Sequence, residues 1–175
     1  AAALLVEQGW DVIGITLKLW PQDCVNRAED KCCGPQAVTD ARAVSHKLDI
    51  PYYLVDEVEE FQRQVIGYFA EEYKAGRTPN PCVLCNGEVR IAAMVDLADR
   101  LGATHLVTGH YARVVEDSEG SLLACGEDAD KDQSYMLAKL PPELLGSLRF
   151  PLAGLEKRRV REIAADHGLP VAAKA

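Results

Sequence analysis

The sequence predicts an α/β fold, a parallel sheet with helical crossovers. Two observations carry this. Short β-branched or aromatic runs alternate with long helical-period segments, the pattern of strands joined through helices rather than hairpins. The chain of 175 residues is also 48% hydrophobic and 26% charged, apolar enough to bury a core and too apolar for a disordered segment.

The elements follow in order. Ala2 to Gln8 reads as helix stopped at Gly9, and Asp11 to Leu17 as a first strand. Gly34 to Leu48 puts Ala37, Ala41, Val44 and Leu48 on one helical face. Pro51 opens a second strand, Tyr52 to Val55. Glu57 to Ala75 is a long amphipathic helix with Phe61, Val65, Tyr68, Phe69 and Glu72 at helical spacing, ending at Gly76. Glu88 to Leu101 is another, with Ile91, Met94, Val95, Ala98 and Leu101 facing inward; after Gly102 comes a strand, His105 to Thr108. Beyond Gly109 the pattern changes. Tyr111 to Val115 and Leu122 to Cys125 flank Asp117-Ser118-Glu119-Gly120 as a hairpin, and Arg159 to His167 forms a last helix with Val160, Ile163 and Ala164 inward. A boundary near 145–150 divides residues 1–147, a nucleotide-binding catalytic domain, from 148–175, the start of a second domain.

Composition narrows the function. Nineteen Lys and Arg against 27 Asp and Glu give a net charge of -8, which argues against coating nucleic acid through bulk charge and leaves room for a local basic face. No apolar run approaches the ~20 residues that cross a bilayer. Six cysteines in a helix-rich chain read as free thiols of a reducing cytoplasm. The Ala1-Ala2-Ala3-Leu4-Leu5-Val6 start reads as mid-helix, and the chain as an excerpt of a longer protein.

The most informative stretch is Gly76-Arg77-Thr78-Pro79-Asn80-Pro81-Cys82-Val83-Leu84-Cys85-Asn86. Two prolines fix φ and extend the residues before them, making a stiff loop. Asn86 is the expected N-cap of the helix that follows, with Glu88 in its first turn; this sets Cys85 beside a helix N-terminus that favours a thiolate. On spacing alone, Cys82 and Cys85 fit a nucleophile or sulfur carrier, half of a metal or iron–sulfur site, or a redox or packing pair.

Thr108-Gly109-His110-Tyr111 follows a strand end, where ligands bind in open α/β sheets; Gly109 admits a close backbone approach, and a plain strand-to-loop turn fits as well. His110 reads either as a phosphate donor or as a structural histidine. In Asp130-Lys131-Asp132-Gln133-Ser134-Tyr135, Lys131 suits a phosphate and Gln133 a base or sugar edge, against the alternative of a solvated turn. Lys157-Arg158-Arg159 with Arg161 is the one dense basic run, suited to an RNA backbone or to an exposed helix face. Cys24, Cys32, Cys33 and Cys125 have no partners at readable spacing.

Together these segments resemble the bacterial tRNA-specific 2-thiouridylases. The likeness runs through Tyr73 to Pro81, Leu84-Cys85-Asn86, Ala103-Thr104, Thr108 to Tyr111, Lys131 to Tyr135, Phe150-Pro151-Leu152 and Leu155-Glu156-Lys157, in the family's order. It implies an adenine-nucleotide-hydrolase-like α/β fold and an enzyme that replaces the C2 oxygen of the wobble uridine with sulfur. ATP with Mg2+ adenylates that oxygen, and a cysteine persulfide delivers the sulfur, supplied by a relay protein or cysteine desulfurase. By position, Cys85 matches the catalytic nucleophile. Asn80, Pro81 and Cys82 match the segment on the target base, and Lys131, Asp132 and Gln133 a tRNA-contacting segment. Leu17 and Gly109 match backbone positions at the nucleotide. Lys74, Arg77 and Arg158 belong to the basic face this requires.

The chain departs from the family pattern at three points. The phosphate-cradling Ser-Gly-Gly-x-Asp-Ser loop is expected before Ala1, and the persulfide cysteine after Ala175. Cys82 stands where some members carry aspartate, which opens an iron–sulfur route with Cys82, Cys85 and the expected downstream cysteine as ligands. A non-catalytic metal- or RNA-binding module, and an adenylating enzyme acting on a small molecule, are the alternatives.

Overall fold

A computed structural model describes residues 1–20, 35–118 and 120–173. Cys24, Cys32, Cys33 and Glu119 lie outside the described residues. The chain forms two compact units, one of Ala2–Gln62 with Arg161–Ala175 and one of Arg63–Val160 with Ala1.

The first unit is built on a strand–helix–strand crossover. Helix α1 (Ala2–Glu7) ends where Gly9 turns to φ +81°. There the Trp10 and Gly9 amides donate to the Leu5 and Val6 carbonyls, the paired bonds of a Schellman stop. Strand β1 (Gly14–Lys18), helix α2 (Pro35–Lys47) and strand β2 (Tyr52–Asp56) follow. β1 and β2 pair in parallel, with Leu17 opposite Val55 and Lys18 opposite Asp56. This is the crossover expected from sequence. Leu19, just past β1, is fully buried, and Phe61 at the end of α3 (Val58–Phe61) takes the edge of Trp20 at 5.1 Å between centroids.

The predicted long helix is not one α-helix. Residues Gln62–Ile66 take π-helical turns before α4 (Gly67–Lys74). A π turn adds a residue to the repeat and rotates the face after it. Phe61 and Val65 are therefore buried, whereas Tyr68, spaced to join them, is exposed.

In the second unit the helical run opens earlier than predicted: α5 (Pro81–Leu84), π turns over Cys85–Arg90, then α6 (Ile91–Leu101). Strand β3 (Leu106–Val107) pairs in parallel with β6 (Leu148–Arg149), which follows the short helix α7 (Pro142–Leu145). Between them stands the predicted hairpin, β4 (Ala112–Asp117) and β5 (Gly120–Cys125), with Asp117 opposite Gly120. Helix α8 (Lys157–Asp166), the last element among the described residues, starts in this unit and from Arg161 belongs to the first. Ile91 and Ala98 of α6 join Leu106, Leu148, Ala112 and Leu137 in one buried cluster, with Met94 and Val95 packed against it. Of the five residues predicted to face inward from α6, Ile91, Met94, Val95 and Ala98 join the cluster, and Leu101 does not.

Candidate functional site

The proline loop begins at a firm helix stop. Gly76 has φ +74°, which L-residues rarely adopt, and the Arg77 amide donates back to the Glu72 carbonyl at 2.9 Å. The Arg77 guanidinium also pairs with the Glu72 carboxylate, its Nε donating at 2.6 Å. That bond and charge hold the Glu72 carboxyl below its ordinary range. Lys74 likewise pairs with Glu71 at 2.8 Å. Two members of the expected basic face therefore already have acidic partners, on exposed surface where such pairs contribute little.

The helix cap is a correction. Asn80, not Asn86, caps the run: its Oδ1 accepts from the Cys82 amide at 3.1 Å, with Pro81 at the first helical position. Asn86 is buried inside the helix, and its Nδ2 donates to the Cys82 carbonyl at 2.8 Å. Its Oδ1 is buried with no hydrogen-bond partner among the described residues. The π turns start at Cys85, and lengthening the repeat there disturbs the usual bonding of the preceding carbonyls. The Asn86 carboxamide supplies a donor to one of them.

The two thiols consequently differ. Cys82 is exposed at the second helical position, while Cys85 is buried one turn on. Cys82, rather than Cys85, occupies the helix start. Asn80 is exposed and Pro81 half-buried.

The 3-10 turn Ser134–Leu137 packs against α5 and the π turns, so the Lys131–Tyr135 segment lies beside the cysteine helix. Within that segment the side chains divide. Lys131 is exposed. Gln133 is engaged with Tyr111: its Oε1 accepts from the Tyr111 amide at 3.1 Å, and its own amide donates to the Tyr111 carbonyl at 3.0 Å. Asp132 accepts from the Ser134 amide (3.2 Å), the Ser134 hydroxyl (2.9 Å) and the Gly126 amide (3.4 Å). Burial pushes its carboxyl up, and these donors more than offset it, leaving it below its ordinary value. Cys125 joins this group, its Sγ 3.6 Å from the Ser134 hydroxyl. Tyr135, which the sequence reading gave no role, is half exposed beside them.

Gly109 follows β3 and is exposed; a methyl group there would meet Leu152 at an ordinary 3.8 Å. Packing inside the protein thus does not demand glycine. His110 is fixed by the Thr108 hydroxyl, 2.8 Å from Nδ1. Burial, and then the charge of Arg90, lower its pKa, which favours the neutral ring. Lys157 lies over the Tyr111 ring at 5.7 Å, and its amide donates to Asp128.

In the other unit, Leu17 is half-buried in β1, next to the end of the parallel pair. There Lys18 bonds Asp56 at 2.7 Å, and the Asp56 Oδ1 accepts from the Val58 amide. The lysine bond, then the Val58 amide, lower the Asp56 pKa. Among the described residues no three His, Cys, Asp or Glu side chains converge to hold a metal ion.

Parallel strands joined through helices, with polar turns at their ends, define an α/β protein of the nucleotide-hydrolase kind. Residues 1–175 match throughout the family described as tRNA methyl transferase HUP domain, and the chain belongs to that family. It is 47% identical over 175 residues to the tRNA-specific 2-thiouridylase MnmA of Heliobacterium modesticaldum, covering 99% of this chain and 46% of that protein. It is 49% identical over 178 residues to that of Moorella thermoacetica, covering 100% and 50%. Against that of Deinococcus radiodurans it is 45% identical over 174 residues, covering 99% and 46%. The chain spans about half the length of these curated relatives.

Proposed function

We propose that the protein carrying this chain is a tRNA-uridine 2-sulfurtransferase, performing ATP-dependent 2-thiolation of the wobble uridine. The observation that carries this reading is the proline loop: exposed Asn80 and Cys82 on either side of a half-buried Pro81, followed by a buried Cys85 thiol, in a chain similar throughout to tRNA-specific 2-thiouridylases.

The division of labour follows from chemistry. A uridine must leave its stack before its C2 oxygen can be adenylated, and a loop stiffened by Pro79 and Pro81 is a suitable floor for the extruded base. Asn80, Pro81 and Cys82 contact that base. The backbones of Leu17 and Gly109 receive the adenine nucleotide, as strand ends do in open α/β sheets. Adenylation turns the C2 oxygen into a leaving group. The sulfur of a cysteine persulfide then replaces it, and Cys85 is the nucleophile that completes the exchange as a thiolate. Lys131, Asp132 and Gln133 form the tRNA-contacting segment: Lys131 by direct phosphate contact, Asp132 and Gln133 by holding its shape. The partners are tRNA and a sulfur relay protein or cysteine desulfurase, in the cytoplasm. Residues 1–147 act as the catalytic domain and 148–175 begin the next.

Magnesium enters as the counter-ion of the ATP phosphates, which it binds with few protein ligands. An iron–sulfur route is the second reading, favoured by cysteine at position 82. Such clusters take about four thiolate ligands; Cys82 and Cys85 would supply two and the expected downstream cysteine a third.

The test is thiolation of tRNA by the full-length protein with ATP, magnesium and a persulfide donor. The nucleoside product should be heavier by the sulfur-for-oxygen difference. A product heavier by one methylene would instead support the methyl transfer in the family's description.

A further inference from the structure

Tyr135 is 50% exposed on a turn whose other parts are tied down. We propose that its ring is a stacking platform for a tRNA base flanking the extruded uridine. The role rests on the tRNA substrate proposed above, and adds to it a residue that binds through a π face rather than a charge.

The turn is held from both directions. Before Tyr135, Asp132 accepts from the Ser134 amide (3.2 Å) and hydroxyl (2.9 Å), and Gln133 exchanges hydrogen bonds with the Tyr111 backbone. After it, the Ala138 amide donates to the Tyr135 carbonyl at 3.4 Å, and Leu137 is fully buried. The backbone that carries the ring is therefore fixed before any ligand arrives. A tyrosine has few side-chain torsions to settle, so binding through it costs little conformational entropy.

Position gives the ring its partner. The turn Ser134–Leu137 packs on α5, the helix that opens with exposed Cys82 after its cap Asn80. A base drawn out of its stack onto the proline loop leaves a neighbouring base with one bare face. An aromatic ring beside that loop covers such a face whatever the base, because every nucleobase has one.

Charge points the same way. From Gly126 to Tyr135 the chain carries Glu127, Asp128, Asp130 and Asp132 against Lys131. The stretch is net acidic, so beyond the one contact of Lys131 it offers a phosphate backbone little attraction. Further affinity for RNA must come from an uncharged contact, and the half-exposed ring supplies it.

The test uses the full-length protein and tRNA carrying 2-aminopurine, whose fluorescence falls on stacking, on either side of the wobble uridine in turn. At one of these positions the complex should be dimmer with the wild type and Tyr135→Phe than with Tyr135→Leu, which keeps apolar bulk without the ring. Tyr135→Leu and Tyr135→Ala should bind unlabelled tRNA about 5- to 150-fold more weakly, the span of one lost base–aromatic stack. Their affinities should keep the wild-type salt slope, because no phosphate contact is lost. Tyr135→Phe retains the ring and should keep full affinity. Equal affinity and brightness across all these proteins would overturn the platform while leaving tRNA as the substrate. A loss in Tyr135→Phe as large as in Tyr135→Leu would overturn it in favour of a contact through the hydroxyl. Normal tRNA affinity, with thiolation lost only when a relay protein supplies the sulfur, would overturn it in favour of protein docking. Failure of the wild type to bind tRNA would overturn the proposed function together with the platform.

Discussion

Gln133 and Tyr111 exchange two hydrogen bonds across 22 residues, one through the Gln133 side chain (3.1 Å) and one through its backbone (3.0 Å). The carboxamide that the sequence offers to a base or sugar edge is thus engaged inside the protein. Gln133→Ala should strand the Tyr111 amide and destabilise the fold by about 1–3 kcal/mol. Urea unfolding checks this; unchanged stability would return Gln133 to the role of a direct tRNA contact.

Lys131 should behave oppositely. Its side chain is exposed, so Lys131→Ala should leave the urea midpoint in place. It should weaken tRNA binding and lower the salt slope of the affinity by about one. Equal tRNA affinity and slope in the variant would make this segment a solvated turn.

The His110 ring carries a pH dependence. Burial and Arg90 hold its folded pKa below the ordinary 6.5. As pH falls, the unfolded chain therefore takes up the proton first. The contribution is fully present above about 6.5 and is lost as pH falls through the window below it. Urea midpoints should drop across that window in the wild type and drop less in His110→Asn. Parallel curves would remove His110 as the source.

Much of the fold is readable from sequence because its signals are local. Gly9, Gly76 and Gly102 take positive φ at the helix ends expected of them, and the turn around Asp117 and Gly120 sets the hairpin register. The helix cap next to Cys85 is harder, since Asn80 and Asn86 are both good caps. The deciding signal is Pro81, favoured at a first helical position directly after the cap. The π turns leave no mark that hydrophobic spacing detects, so the sequence does not show the outward Tyr68 or the buried Asn86. Pairing of Leu106–Val107 with Leu148–Arg149 is set by tertiary contact between stretches too short to show a period. Of the site, the residue types and order were legible; which side chains were already committed to internal bonds was not.

Asn86 is a position where the structure adds a prediction of its own. Asn86→Asp would bury a carboxylate and lose the donor to the Cys82 carbonyl. The variant should be destabilised by about 3 kcal/mol or more near neutral pH and recover in part in acid, where the neutral carboxyl can donate again. A variant as stable as the wild type at pH 7 would mean the buried setting of Asn86 is not the one that holds the cysteine turn.

The most direct test of the account compares the two cysteines in the full-length protein by formation of 2-thiouridine in tRNA. Cys85→Ser retains shape but has almost no anionic form near neutral pH. It should abolish thiolation while ATP and tRNA binding persist, and Cys82→Asp should keep substantial activity. Nearly equal damage from Cys82→Ser and Cys85→Ser, in a protein that is brown when purified without oxygen, would favour the cluster route. Full thiolation by Cys85→Ser would contradict the account.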